Sequence, residues 1–467
     1  MANSTDRSRP IETKDELVAV LEAGIKPAGD WLIGTEHEKF PFFSGDITPV
    51  PFEGDRGIEA LLIRLFETDK GFEGIYEGER LVGLKQPTKC GKFSASVTLE
   101  PGGQVELSGA PLSDVHQTIA EIETHLTDLH EVAAPLEMQF LGLGYSPKFT
   151  LEETPRMPKG RYDIMRAYMP KVGTRGLNMM HNSCTVQVNL DFGSEADMVK
   201  KFRVGLALQP LATALFANSV FKDGKLNGFQ SFRSEVWRDV DAARTGMLPF
   251  VFEDGMGFER YVTYALEVPM YFVYRNGRYI EGRGQPFSKF MAGKFEGLEG
   301  ELPTLDDWEM HLTTLFPEVR LKQFLEMRGA DCGPLPYLPA LSAFWTGLFY
   351  DSSSLDAAYD LIKSWDASMM QEVRDRVPTE GLATAVGTRD MQMVAREVLE
   401  MSAAGLKARA RFGNSGSDLS DVDERHYLEP LQDMADDGWT QARRLIDRFK
   451  SEWNEDINAV YRELAYR

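Results

Sequence analysis

Cysteine is scarce in this chain of 467 residues, which has only Cys90, Cys184 and Cys332. An odd number spread over more than half the length excludes a disulfide-stapled secreted protein and reads as reduced thiols in a cytoplasmic one. The first residues, MANSTDRSRP, lack the apolar stretch of a signal peptide. Long apolar runs are missing as well. The most apolar segment, 204–221, is broken by Gln209, Pro210 and Asn218, which suits a buried helix better than a membrane span, so no membrane partner is expected. Basic charge is in deficit: 51 Lys and Arg stand against 72 Asp and Glu, a formal net charge of −21. That sign disfavours nucleic acid as a partner. It leaves room for a small anionic substrate, because a few basic side chains or a bound cation reverse the field inside one cleft.

Several signatures are absent too. No G-x-G-x-x-G follows a strand, no Walker A loop is present, and no segment repeats. His116, His125 and His130 lie nine and five positions apart, on different faces of a helix that begins near Ser113 as its N-cap, so they read as exposed or capping residues and not as a metal site. Asp418, Asp421 and Asp423, in the polar stretch 412–424, lack the spacing and glycine of a calcium loop.

What is present is an α+β pattern: mixed strands and helices without βαβ alternation. A single catalytic domain over 1–467 is expected, with a core at 14–350 holding the sheet and a helical part at 355–467 packed on it. Four strands share one property. In GTEHEKF, Glu36 and Glu38 leave the same face and His37 the other. In TLEPGGQVELSG a Pro-Gly-Gly turn brings Glu100 back towards Glu106, with Gln104 and Ser108 on the same face as Glu106. In TVQVNLDF the face Thr185, Gln187, Asn189 and Asp191 alternates with Val186, Val188, Leu190 and Phe192. In FLEMRGAD, Glu326 and Arg328 share a face.

Taken singly, each polar face fits an ordinary solvated strand or surface ion pair. Together they offer oxygen ligands of the kind that suit Mg²⁺ or Mn²⁺, and these ions bridge phosphates. Phosphoryl transfer from a nucleotide is the chemistry suggested, with Lys85, Lys89, Lys92 and Arg328 as candidate phosphate contacts.

The runs GTEHEKF, LEPGGQVELSGAP, CTVQVNLDF, GLALQPLATALFANS, RTGMLPFVF, PEVRLKQFLEMRGAD and SAFWTGL resemble the plant and proteobacterial type of glutamate-cysteine ligase, from about Leu17 to Tyr350. The resemblance implies a glutamine-synthetase-like fold, with a curved, mostly antiparallel sheet whose carboxylate-lined face holds two or three Mg²⁺ ions, Mn²⁺ being the alternative. It implies ATP-dependent joining of the glutamate γ-carboxylate to the cysteine amine through an acyl phosphate, the first step of glutathione synthesis. Glutamate, cysteine and ATP would be the partners.

By the same resemblance Glu36, Glu38, Glu100, Glu106 and Glu326 would hold metal, with Gln187 in a strand that contributes to the site. Arg328 and Lys85 would meet the nucleotide. Arg161, Arg233, Trp237 and Tyr271 would bind glutamate. Two departures are visible: His181-Asn182-Ser183 before Cys184, and Pro339, where plant members carry a regulatory cysteine. No thiol switch is therefore expected. A different amine acceptor, a binding protein without catalysis, and a monomer or a homodimer stay open.

Overall fold

The computed structural model describes residues 9–87, 94–411 and 423–467. Lys89 and Lys92, Cys90, Asp418 and Asp421 lie outside the described residues. At the centre is β1 (Ile33–Phe43), where Glu36 and Glu38 leave one face and Thr35, His37 and Lys39 the other. The other strands are β2 (Thr48–Pro49), β3 (Glu73–Glu77), β4 (Arg80–Pro87), β5 (Ser94–Leu99), β6 (Val105–Ser108), β7 (Met138–Leu141) and β8 (Thr185–Leu190), with Val319–Leu321 and Leu325–Asp331 from far along the chain. These ten form one open sheet. Its order is Val319–Leu321, Leu325–Asp331, β8, β1, β6, β5, β4, β3, with β2 and β7 paired to the outer part of β1, and every pairing is antiparallel.

Register sorts the faces. Glu36 stands opposite Ser108 on β6 and Gln187 on β8, and Glu38 stands opposite Glu106. Asn189 stands opposite Glu326, which in turn faces Arg320. Polar side chains thus fill one face across five strands. The other face carries Leu107, Val186, Val188, Leu325 and Met327, all buried. Helices Val115–Ala133, Glu195–Leu215 and Tyr337–Phe349 cover it. Ser194 caps the second of these by accepting from the Asp197 amide. The 195–215 helix takes in most of the apolar run 204–221, and its residues from Val204 onward are buried. Among the described residues no helix is long and apolar enough to cross a membrane.

A continuous apolar cluster runs from Ile11 to Tyr461 and ties the C-terminal helices to the sheet. Helices Tyr337–Phe349 and Met391–Arg409 touch where Gly347 meets Gly405 and Ser402; a Cβ on Gly405 would collide with the Gly347 carbonyl. Among the described residues of 355–467, the regular elements are helices apart from the small strand pair Ala385–Val386 and Arg389–Asp390.

Two local expectations need correction. The N-cap of the 115–133 helix is Asp114, which accepts from the Gln117 amide, and not Ser113. His125 is neither exposed nor capping: it is buried against β1, with Nε2 3.0 Å from Lys39 Nζ. Its helical position points at the sheet, and the basic side chain hidden on β1 gives it a partner.

Candidate active site

The polar face of the sheet forms the floor of a cavity of about 230 Å³. Glu36, Glu38, Glu100, Glu106, Gln187, Arg320 and Arg328 line it from the sheet side. Opposite them stand Arg161, Tyr162 and Met165 of helix Gly160–Tyr168, Phe272 of strand Phe272–Arg275, and Thr313, Thr314 and Phe316. The four strands singled out by their polar faces converge here.

Each carboxylate is held by local structure. Glu100 follows β5 directly and enters the Pro101-Gly102-Gly103 turn, where Gly103 sits at φ +86° and its amide donates to the Glu100 carbonyl at 2.9 Å. The buried Gln104 side chain accepts from the Gly102 amide at 2.9 Å and donates to the Ser183 carbonyl at 2.9 Å, pinning the turn to the chain ahead of β8. Glu106 accepts from Thr98 Oγ1 at 2.6 Å. Glu38 accepts from the Thr185 amide at 2.9 Å, and Glu36 from Asn189 Nδ2 at 2.9 Å.

The electrostatics divide the cavity. Burial, then the charges of Glu326 and Glu106, push Glu36 up to about 7. Burial, then Glu100 and Glu106, push Glu38 well above the carboxylate range, and burial with Glu100 raises Glu106. Like charges directly opposite on neighbouring strands repel. Glu326 behaves differently. Burial opposes its ionisation, but Arg320, Lys322 and Arg328 hold it well below the usual range. Both its oxygens accept from Arg320, and Oε1 lies 3.2 Å from Arg328 Nη1. Arg328 Nη1 also donates to Gln187 Oε1 at 2.7 Å. One end of the cavity is therefore acidic and the other carries a guanidinium pair.

The glutamate-binding residues implied by the resemblance do not all meet. Arg161 lines the main cavity, its Nη2 donating to the Tyr162 hydroxyl at 3.2 Å. Arg233 and Trp237 line an adjoining crevice behind Arg328, and Arg233 Nη2 donates to the Arg328 carbonyl at 3.0 Å. Tyr271 is in neither. It is buried, with the Arg244 guanidinium 3.8 Å from its ring centre and its hydroxyl on Met169 Sδ. Lys85 is exposed on β4 and does not line the cavity; β5 and β6 separate its strand from β1.

Asn189 belongs to the polar face expected from TVQVNLDF, whereas Arg320 and Lys322 carry no signal of their own in the sequence. Arg320 could have been found from the alternation of VRL, which returns as LEM after a short turn and sets Arg320 opposite Glu326.

The thiols lie beneath this floor. Cys184 and Cys332 are free, buried neighbours, the Cys332 amide donating to the Cys184 carbonyl at 3.2 Å. Burial raises both, Cys332 to about 11, so thiolate is scarce at neutral pH and reactivity low. Iodoacetamide on the folded protein should modify neither, and both once urea is added, as read by peptide mass mapping. Activity should be equal before and after reductant. Modification of either in the native state, or a large activation on oxidation, would refute this.

The chain as a whole is similar to known proteins. The model of glutamate-cysteine ligase family 2 matches residues 32–463. A chloroplastic glutamate-cysteine ligase of Brassica juncea is 49% identical over 454 residues, covering 97% of this chain and 84% of that one. A chloroplastic glutamate-cysteine ligase B of Oryza sativa subsp. japonica is 50% identical, covering 97% and 87%. Among solved structures, a glutamate-cysteine ligase of Francisella tularensis in complex with AMP superposes with a TM-score of 0.51 at 12% identity, over 94% of this chain and 89% of that one, which is a likeness of fold. The expected family and fold class are borne out. The cytoplasmic placement is not: the Brassica and rice relatives are named as chloroplastic. Few, reduced thiols speak for a reducing compartment and do not single out one. By its matched family model and by half-identical relatives along nearly its whole length, the chain belongs to glutamate-cysteine ligase family 2, a family of enzymes.

Proposed function

We propose that this chain joins the γ-carboxylate of glutamate to the amine of cysteine using ATP, giving γ-glutamylcysteine, ADP and phosphate, the first step of glutathione synthesis. The observation that carries this reading is a single cavity in which buried carboxylates face an arginine pair. The name its relatives bear supports it.

A hard divalent cation fits the donors present. Asn189 Oδ1, beside Glu36, is buried without a hydrogen-bond donor, and Glu38 faces Glu106 directly. Among the described residues no three acidic, cysteine or histidine side chains converge to hold one ion alone. That suits Mg²⁺, which takes one or two carboxylates and completes its shell with water and phosphate oxygens. Glu36, Glu38, Glu100 and Glu106 would hold such ions, which supply charge neutralisation between two anions brought together; Glu326, expected among the ligands, instead has both oxygens taken by Arg320 and does not line the cavity.

The chain's own residues do the rest. A carboxylate does not condense with an amine at neutral pH, so its γ-oxygen is first phosphorylated. Arg328 and Arg161 orient the anionic ends of the substrates. Met165, Phe272 and Phe316 shield the acyl phosphate from water, until the cysteine amine attacks its carbonyl and phosphate leaves.

ADP release measured with glutamate and a panel of amines tests the reading. Cysteine-specific turnover supports it, turnover with another amine alone transfers the acceptor, and binding without turnover removes it. The cation is tested by pH. Because Glu36 is raised to about 7 from 4.5, the folded protein keeps a proton that the unfolded chain has released. Its contribution to stability is therefore full below pH 4.5 and is lost as pH rises through 7. Mg²⁺ should raise the melting temperature more at pH 8 than at pH 6; equal shifts would count against these ligands.

A further inference from the structure

Arg320 has a role beyond neutralising a buried acid. It is 7% exposed and Glu326 is fully buried. Its Nε and Nη2 take the two carboxylate oxygens, and its Nη1 donates to the Thr313 carbonyl at 2.7 Å and the Leu315 carbonyl at 3.1 Å. A guanidinium carries five N–H donors. These bonds use four, leaving one on Nη2, and Arg320 lines the cavity. On the next strand Arg328 is aimed by Gln187 Oε1 and Glu326 Oε1 through Nη1 alone. Among the described residues its Nε and Nη2 have no acceptor. Phe316 lies against both guanidinium groups, 5.9 Å from Arg320 and 5.6 Å from Arg328.

We propose that Arg320, Glu326 and Arg328 act as one clamp for an oxyanion of phosphoryl type, in which Glu326 bridges the two guanidinium groups and Arg320 is the positioning residue that fixes the direction of Arg328. The carboxylate cancels one of the two positive charges, so the pair keeps a net positive charge facing the acidic wall. A buried ion pair kept only for stability gains nothing over a well-packed apolar pair. Here the unspent donors face the cavity where an anion must be held. The planar fork matters as well as the charge, since an ammonium cannot hold both carboxylate oxygens in plane.

The inference rests on the proposed ligation and deepens it. Arg320→Lys is the first test. We expect kcat to fall about 100-fold, the usual cost of one misdirected oxyanion donor, with KM for ATP raised and KM for cysteine within about twofold of wild type. Binding of a non-hydrolysable ATP analogue, followed by calorimetry, should weaken in parallel. Should the variant fail to fold, the double variant Arg320→Gln with Glu326→Gln removes both partners of the buried pair together, leaves Arg328 on Gln187 Oε1 alone at the cavity, and should show the same split between ATP and cysteine. Wild-type kcat and ATP affinity in a folded variant would overturn the clamp, as would equal losses for all substrates. Failure of the wild-type protein to release ADP with any amine would instead remove the ligation reading.

Discussion

Glutamine at position 38 should lower turnover by about three orders of magnitude and raise the melting temperature of the unliganded protein. Both effects have one cause. The Glu38 carboxyl is buried, stands opposite Glu106, and is pushed up by burial and by the charges of Glu100 and Glu106. Removing its charge relieves repulsion, so the empty fold gains. The amide can still accept from the Thr185 amide, so the local backbone is kept. The same change removes an anionic oxygen from the place where charge between substrates must be neutralised, and losses of about 10²–10³ follow from deleting one such electrostatic contact. Glu36→Gln should behave alike, since Asn189 can still donate to the new amide oxygen. Initial rates at saturating Mg²⁺ and calorimetric melting decide the matter. A near-normal rate for either variant would discard the acidic wall as the cation site.

The largest loss of stability should come from Arg244→Met. Arg244 is fully buried: Nε donates to Asp241 Oδ2 at 2.6 Å, Nη1 to the Thr314 carbonyl at 3.1 Å, and Nη2 to the Pro269 carbonyl, over the face of Tyr271. Methionine fills part of the volume and leaves the buried Asp241 charge without its cation, its Oδ2 and two carbonyls losing the donors that Arg244 supplied. Stranding one partner of a buried pair costs about 3–5 kcal/mol. Urea denaturation should show a lower midpoint with an unchanged slope. Adding Asp241→Asn should recover part of the loss, because the stranded charge disappears; if the double variant is no more stable than Arg244→Met, the ion pair is not the source. Thr314 lines the cavity, so the variant should also lose activity at temperatures where it is still folded.

These side chains show what could and could not be read along the chain. The alternation of residues 185–190 and the Glu-x-Glu of β1 declare a two-faced strand within a few positions, because the period of a strand is local. The Pro-Gly-Gly turn declares its hairpin for the same reason. Which polar faces share one cavity depends on strand order, and neighbours far apart in the chain decide that order. Tyr271 shows the cost: its place in the chain is compatible with the pocket, yet Arg244 draws it into the wall behind. Lys85 points from the right sheet but too far along it. His125 looked like a surface residue because nothing near it in sequence reveals a buried lysine on another strand. Arg320 escaped notice because an arginine opposite a glutamate across a short turn is usually a surface pair, and only burial turns it into a fixed part of the site.

The strand order also bears on how the enzyme comes into being. β1 precedes every other strand of the sheet, yet the neighbours along its acidic part are β6 and β8, and the strand bearing Glu326 and Arg328 is completed only at Asp331. Contacts so distant along the chain form slowly, because the loops between them must close first. During synthesis the repelling acids of β1 and β6 are brought together long before the guanidinium pair exists to face them. The nascent chain should therefore hold this sheet loosely until its last strand arrives, and no N-terminal fragment ending before residue 331 should bind nucleotide.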